Sequence, residues 1–259
     1  MITLLTDFGM RDPYVAEMKG TILSLYPKAQ IIDISHDVEK FNVRMGAFIL
    51  ASAVPYFPEG TIHIGVVDPG VGTKRLPIII KTNRGYFVGP DNGLLIIAAN
   101  REGIQHTYLI DNLKFPQLFS TFHGRDIFAP VAAYLAKGAD VTNFGNEISS
   151  YIMPKFAKPR VEKGVIFGEI IYIDGFGNLI TNIPEELLNE IDIGENRYIR
   201  IKFQKEIQRV RFSITYGDVS TKSPLAIIGS HGYFEISVNQ GNAQQFYGVR
   251  IGEQIEIQT

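Results

Sequence analysis

The feature that most constrains the fold is a change of rhythm near residue 151: strand and helix patterns alternate before it, and strand patterns dominate after it. Ile2 to Thr6 is a strand-like run. Val15, Met18, Ile22 and Leu25 then recur at helical spacing until Pro27, with Asp12-Pro13 read as N-cap and first helical residue. Gln30 to Ile34 is a short strand, Val43 to Val54 a helix stopped by Pro55, and Thr61 to Val67 a strand. Leu76 to Thr82 and Tyr86 to Gly89 flank Asn83-Arg84-Gly85, a hairpin signal. Leu94 to Ala99 reads as a short helix, His106 to Ile110 as a strand, and Asp126 to Lys137 as a helix ended by Gly138. Such alternation predicts an α/β domain, a mainly parallel sheet with flanking helices.

Met153 to Pro159 has the composition of a linker. Beyond it, strand patterns run over Val165–Ile173, Leu179–Asn182, Tyr198–Phe203, Arg209–Ile214, Leu225–Ile228, Tyr233–Val238 and Gln254–Ile257, interrupted by one short helix at Pro184–Ile191. Short strands with Gly-rich turns predict an all-β, barrel-like domain. The expected division is 1–155 for the α/β domain and 160–259 for the β domain.

Composition removes several function classes. A formal charge of −2 and no Lys/Arg block give no electrostatic case for nucleic acid. With no Cys, disulfides, thiolate metal sites and Cys nucleophiles drop out. No apolar run approaches the ~20 residues of a membrane helix. The opening Met1 to Asp7 lacks the basic region of a signal peptide, so a cytoplasmic protein is expected. There is no P-loop, HExxH or GxSxG, and Gly70-Val71-Gly72 lacks the third glycine of a dinucleotide fingerprint.

What remains is polar residues at strand ends. Asp7 ends the first strand and Asp68 the third, each entering a Gly-containing turn. In open α/β sheets, ligands bind beyond the carboxyl ends of the strands. Asp and Gly also simply terminate strands, so one such turn is weak evidence. Five clusters stand out: Thr6-Asp7-Phe8-Gly9 with Asp12, Asp68 to Thr73 with Arg75, Phe122-His123-Gly124-Arg125-Asp126, Asp174 to Asn178, and Gly229-Ser230-His231-Gly232-Tyr233. Each alone is compatible with turn chemistry. His36 and His63 read as structural.

Together the clusters resemble one family. Thr6-Asp7-Phe8-Gly9, Phe57-Pro58-Glu59-Gly60-Thr61, Val67-Asp68-Pro69-Gly70-Val71-Gly72, Gly89-Pro90-Asp91-Asn92-Gly93, Thr121 to Asp126 and Phe176-Gly177-Asn178, in that order, are similar to the SAM hydroxide adenosyltransferases. These adenosine-forming S-adenosyl-L-methionine (SAM) hydrolases are homologues of fluorinase and chlorinase. The resemblance covers nearly the whole chain. It implies hydrolysis of SAM to adenosine and L-methionine by attack of water or hydroxide on the ribose C5′, with no metal or organic cofactor. The sulfonium already leaves well, so the protein's tasks are alignment and activation of water.

The resemblance also implies roles. Asp68, Arg75 and His123 match the water-handling Asp, Arg and His. Asp7 matches the carboxylate that accepts from both ribose hydroxyls. Asp12 and Asp174 match positions near the methionine amino group, and Ser230 and His231 the methionine carboxylate contact. Phe41 and Phe176 are candidates to stack on adenine, and Asn178 to read its edge. Halide-using relatives carry an aromatic residue in place of Asp68, and the fluorinase has Ser in place of Gly124 and Arg in place of His231. The turn Asp174-Gly175-Phe176 is one residue shorter than the fluorinase's. The alternatives are a SAM-dependent halogenase, which Asp68 opposes, and a SAM or adenosine sensor with vestigial catalysis. The family further implies a homotrimer with sites shared between subunits.

Overall fold

A computed structural model describes residues 1–111, 121–154, 156, 158–190, 197–203 and 206–258. The chain divides into two compact units, Met1–Pro154 and Lys155–Thr259.

The first unit is built on a six-stranded sheet. Its strands are β1 (Ile2–Thr6), β2 (Ile31–Ser35), β3 (Thr61–Val66), β4 (Pro77–Thr82), β5 (Gly85–Pro90) and β6 (Ile104–Leu109), in the order β2-β1-β3-β5-β4-β6. The first four in that order run parallel, while β4 is antiparallel to β5 and to β6. The sheet is thus mixed, and the antiparallel pair is the hairpin signalled by Asn83-Arg84-Gly85. β1 and β3 are buried at every position, as strands covered on both faces must be.

Alternation along β1 sends Leu4 and Leu5 to opposite faces. Ile2 and Leu4 join the core formed with Met18 and Ile22 of α1 (Tyr14–Leu25) and Val131, Ala132 and Leu135 of α4 (Ala129–Ala136). Leu5 lies toward α2 (Val43–Ala53), where Gly46 has no room for a side chain beside Leu94, Val67 and Leu5. Asn42 caps α2 by accepting from the Met45 N–H at 3.0 Å, and α2 packs on α3 (Ile96–Glu102).

Two expectations need correction. Asp12 does not cap α1: Pro13 occupies the N-cap position and no side chain bonds to the helix start. The helix read over Asp126–Lys137 opens instead as a π-helical turn, Gly124–Phe128, before α4 with Pro130 in its first turn. A wider turn carries one more residue than an α-turn, which spacing alone does not distinguish.

The second unit is a closed barrel. Its strands are β7 (Arg160–Glu162), β8 (Val165–Ile173), β9 (Leu179–Pro184), β10 (Tyr198–Phe203), β11 (Glu206–Phe212), β12 (Pro224–Ile228), β13 (Tyr233–Val238) and β14 (Gln254–Gln258). The ring runs β14-β10-β11-β12-β13-β9-β8 and closes through β14–β8, with β7 added outside on β8. Ile199, Ile201 and Phe203 alternate inward along β10 and meet Ile166, Phe212, Phe234, Ile236 and Ile257 in one core. Short helices α5 (Glu185–Asn189) and α6 (Ala243–Tyr247) lie in the connections. The helix expected over Pro184–Ile191 is α5; residue 191, like linker residues 155 and 157, lies outside the described residues. β7 and α6 carry too few residues to show a period.

Candidate active site

The parallel register pairs Thr6 of β1 with Val66 of β3, so the chain leaves both strands at one sheet edge. Asp7 and Asp68 lie in the segments that follow. Both line a cavity of about 740 Å³, together with Phe41, Phe122 and His123. That volume is in the range of small-molecule sites.

One constellation stands at this edge. Asp68 and Arg75 belong to the β3–β4 connection and are both nearly buried, their side chains 5% and 6% exposed. Arg75 grips Asp68 with two bonds, Nε donating to Oδ1 at 3.2 Å and Nη2 to Oδ2. The same Nη2 lies 2.9 Å from His123 Nδ1. A guanidinium only donates, so Nδ1 is the acceptor and the neutral imidazole carries its proton on Nε2. Burial, and then the Arg75 charge, push the His123 pKa below the ordinary histidine value, with Asp68 and Asp126 opposing in part. Arg75 Nη1 is buried without a hydrogen-bond partner among the described residues. His123 directly precedes the π-helical turn and packs edge-on against Phe128, whose ring also lies under the Arg75 guanidinium at 5.7 Å. The constellation therefore joins a buried carboxylate, a neutral imidazole N–H and a cation, parts suited to orienting and deprotonating water.

Asp7 is 5% exposed. Its Oδ2 accepts from the Phe41 N–H at 2.8 Å, and its backbone carbonyl accepts from Lys40 Nζ. Oδ1 makes no hydrogen bond among the described residues and belongs to a side chain that lines the cavity. Phe41 adopts φ 65°, a left-handed conformation costly for a bulky residue, and its ring is 67% exposed at the cavity. Asp12 is exposed and is not part of the cavity lining.

Tyr14, Glu17 and Lys40 also line the cavity, and the sequence reading did not single them out. Tyr14 and Glu17 share one face of α1 by i, i+3 spacing, the only signal that could have found them. Glu17 bonds Arg125 at 2.7 Å, Asp126 bonds the same guanidinium, and the guanidinium lies 5.0 Å from the Phe122 ring. Burial raises the pKa of Asp91, beside the end of β5; the Ile152 N–H and the Arg75 charge oppose the shift. Among the described residues no three His, Asp or Glu side chains are grouped so as to hold a metal ion. Nor is any described helix long and apolar enough to cross a membrane.

The second unit carries its candidates on two turns. Between β8 and β9, Asp174 Oδ1 accepts from the N–H groups of Phe176 and Asn178, and Oδ2 from Asn178 Nδ2, each at 2.9 Å. Gly177 turns the chain at φ 85°, and Phe176 stands 79% exposed. Between β12 and β13, Ser230 and His231 are exposed on a turn closed by the Gly232 N–H donating to the Gly229 carbonyl at 2.9 Å. Beneath it Glu235, 4% exposed, accepts from Tyr216 Oη and Ser237 Oγ at 2.7 Å. Leu179 pairs with Ile236 and Pro184 with Tyr233, so the first turn enters the start of β9 and the second lies beside its end. Only Tyr233–Ile236 of β13 face Leu179–Pro184 of β9 across a bulge, so at about 3.3 Å per residue roughly 10 Å of strand separates them.

Comparison with known proteins gives the family. Residues 2–145 match the SAM hydroxide adenosyltransferase N-terminal domain and residues 168–256 the C-terminal domain of the same family. An (R)-S-adenosyl-L-methionine hydrolase of Methanocaldococcus jannaschii is 38% identical over 99% of this chain and 95% of its own. A crystal structure of an uncharacterized conserved protein from Thermotoga maritima is 40% identical, covers all of both chains and superposes with a TM-score of 0.90. A fluorinase of Actinoplanes sp. is more distant, 28% identical over 97% of this chain and 95% of its own. The chain belongs to the SAM hydroxide adenosyltransferase family.

Proposed function

We propose that the protein hydrolyses SAM to adenosine and L-methionine by attack of water on the ribose C5′. The observation that carries this reading is the Arg75 guanidinium bonded to both Asp68 and His123 at a nucleoside-sized cavity. The (R)-SAM hydrolase relative, similar over 99% of this chain, supports it.

In this reading His123 donates from Nε2 to orient the water, and Asp68 takes the water's proton as the C5′–O bond forms. The C5′–S bond breaks, and its electron pair leaves a neutral thioether on methionine. Arg75 holds donor and acceptor in one geometry, and its charge favours the developing hydroxide. Asp7 accepts from the ribose hydroxyls. Phe41, Phe176 and Asn178 serve adenine, while Asp12, Asp174, Ser230 and His231 serve methionine; both Asp174 oxygens also accept within their own turn. No metal or organic cofactor is needed, since the sulfonium is already a leaving group.

Among the described residues the cavity lining belongs to the first unit, and Phe176 stands exposed on the second. Both observations support a homotrimer in which neighbouring chains complete each site. Mixing Asp68→Ala with Asn178→Ala chains should then restore activity, and no recovery after verified mixing counts against shared sites. The proposed location is cytoplasmic, which cell fractionation tests.

The test of the reaction is chromatography of purified protein with excess SAM, with and without chloride or fluoride. Adenosine and methionine should form in many multiples of the enzyme. A halogenated nucleoside as main product would make the protein a halogenase, and no turnover would make it a binding protein.

A further inference from the structure

His36, at first sight a core histidine, does more than fill space. It follows β2 directly and is 4% exposed. Its Nδ1 lies 2.8 Å from the hydroxyl of the fully buried Thr6. That hydroxyl oxygen also accepts from the Phe8 N–H at 3.2 Å, and the His36 carbonyl accepts from the Gly9 N–H at 2.7 Å. One residue therefore reaches both ends of Thr6-Asp7-Phe8-Gly9. On the far side of the ring, Nε2 lies 3.1 Å from Asp33 Oδ1. Asp33 Oδ2 in turn accepts from Lys19 Nζ at 2.6 Å. The nearby carboxylate favours the proton on Nε2, which leaves Nδ1 to accept from the Thr6 hydroxyl.

We infer that His36 is a positioning residue for Asp7. Gly9 sits at φ 71°, so the turn has conformational freedom at its end unless something pins it. His36 pins Thr6 and Gly9, while Lys40 and Phe41 hold Asp7 from the same β2–α2 connection. Together they fix the direction in which Asp7 presents its second oxygen. The inference rests on the reading of Asp7 as the acceptor of the ribose hydroxyls.

The experiment compares affinities for adenosine and 2′,3′-dideoxyadenosine by calorimetry. The wild type should favour adenosine, and Asp7→Ala should remove most of that preference. His36→Leu and Thr6→Val should each reduce the preference by about tenfold, the scale of one lost hydrogen bond, with dideoxyadenosine affinity unchanged. His36→Asn, whose amide can meet Thr6 near the Nδ1 position, should restore most of it. Melting curves identify which variants fold, and Thr6→Val decides if His36→Leu does not. A folded variant that keeps the wild-type preference, or loses both nucleosides alike, overturns the inference. A preference that Asp7→Ala leaves intact overturns the ribose role of Asp7 instead.

Discussion

In the first unit, Arg75 reaches 48 residues along the chain to bond His123, and Asp68 is held in the same grip. In the second, Asp174 turns inward on its own loop, accepting from residues two and four positions away. The first arrangement exists only when β3, β4 and the π-helical turn are folded around it. The second is a local hydrogen-bonded turn that exposes Phe176. A constellation built across elements is preorganised by the whole core, whereas a turn depends on a few residues. The two should therefore fail differently when altered.

The largest effect is expected where bonds cross elements. Asp68→Ala and His123→Ala should each lower turnover by at least ~100-fold, the scale of lost acid–base help, while SAM still binds. Turnover near wild type in either variant would remove that residue from the chemistry and blur the contrast. Single-turnover rates and calorimetry measure both quantities.

A second difference is acid sensitivity. His63 is buried against Phe57 and Phe87 and bonds Thr3; burial, with the Arg84 charge, pushes its pKa down to about 4. The unfolded chain protonates His63 near 6.5, so stability falls as pH drops from there to about 4. The loss from His63 alone is of order 3 kcal/mol. His123 shifts in the same direction. The second unit has a single histidine, the exposed His231. Denaturant titrations from pH 7 to 4, with a probe in each unit, should show the histidine-linked loss in the first unit. Equal loss in both would break the comparison.

Smaller effects belong to the turn. Asp174→Ala removes the acceptor for three hydrogen bonds at a partly exposed site and should cost about 1–2 kcal/mol of stability. Phe176→Ala should change stability by less than about 0.5 kcal/mol, as exposed positions do, while weakening adenosine binding. A large melting shift for Phe176→Ala would mean that the ring is structural.

Sequence reading was strongest where periodicity was long. The α/β rhythm, the Asn83-Arg84-Gly85 hairpin and the strand-rich second half correspond to the sheet, β4–β5 and the barrel. Asp7 and Asp68 were legible because an apolar run must stop before a carboxylate. The Arg75–His123 bond was not, since no local pattern joins two residues so far apart; only the family resemblance grouped them. Lys40 gave no signal because it reaches the site through a loop. Asp12-Pro13 misled because the cap signature was present while the helix began one residue later.

The shared guanidinium also constrains descent. The family resemblance implies an aromatic residue in halide-using relatives where Asp68 stands here. In this chain, that single exchange would leave Arg75, with a side chain only 6% exposed, charged and without its carboxylate. Breaking a buried ion pair by removing one partner typically costs about 3–5 kcal/mol. A mutational path from water to halide therefore meets a valley unless positions 68 and 75 change together. The coupling energy in a double-mutant cycle over those two sites measures its depth, and additive effects would flatten it. Positions 68 and 75 would then be exchanged as a block and not one at a time.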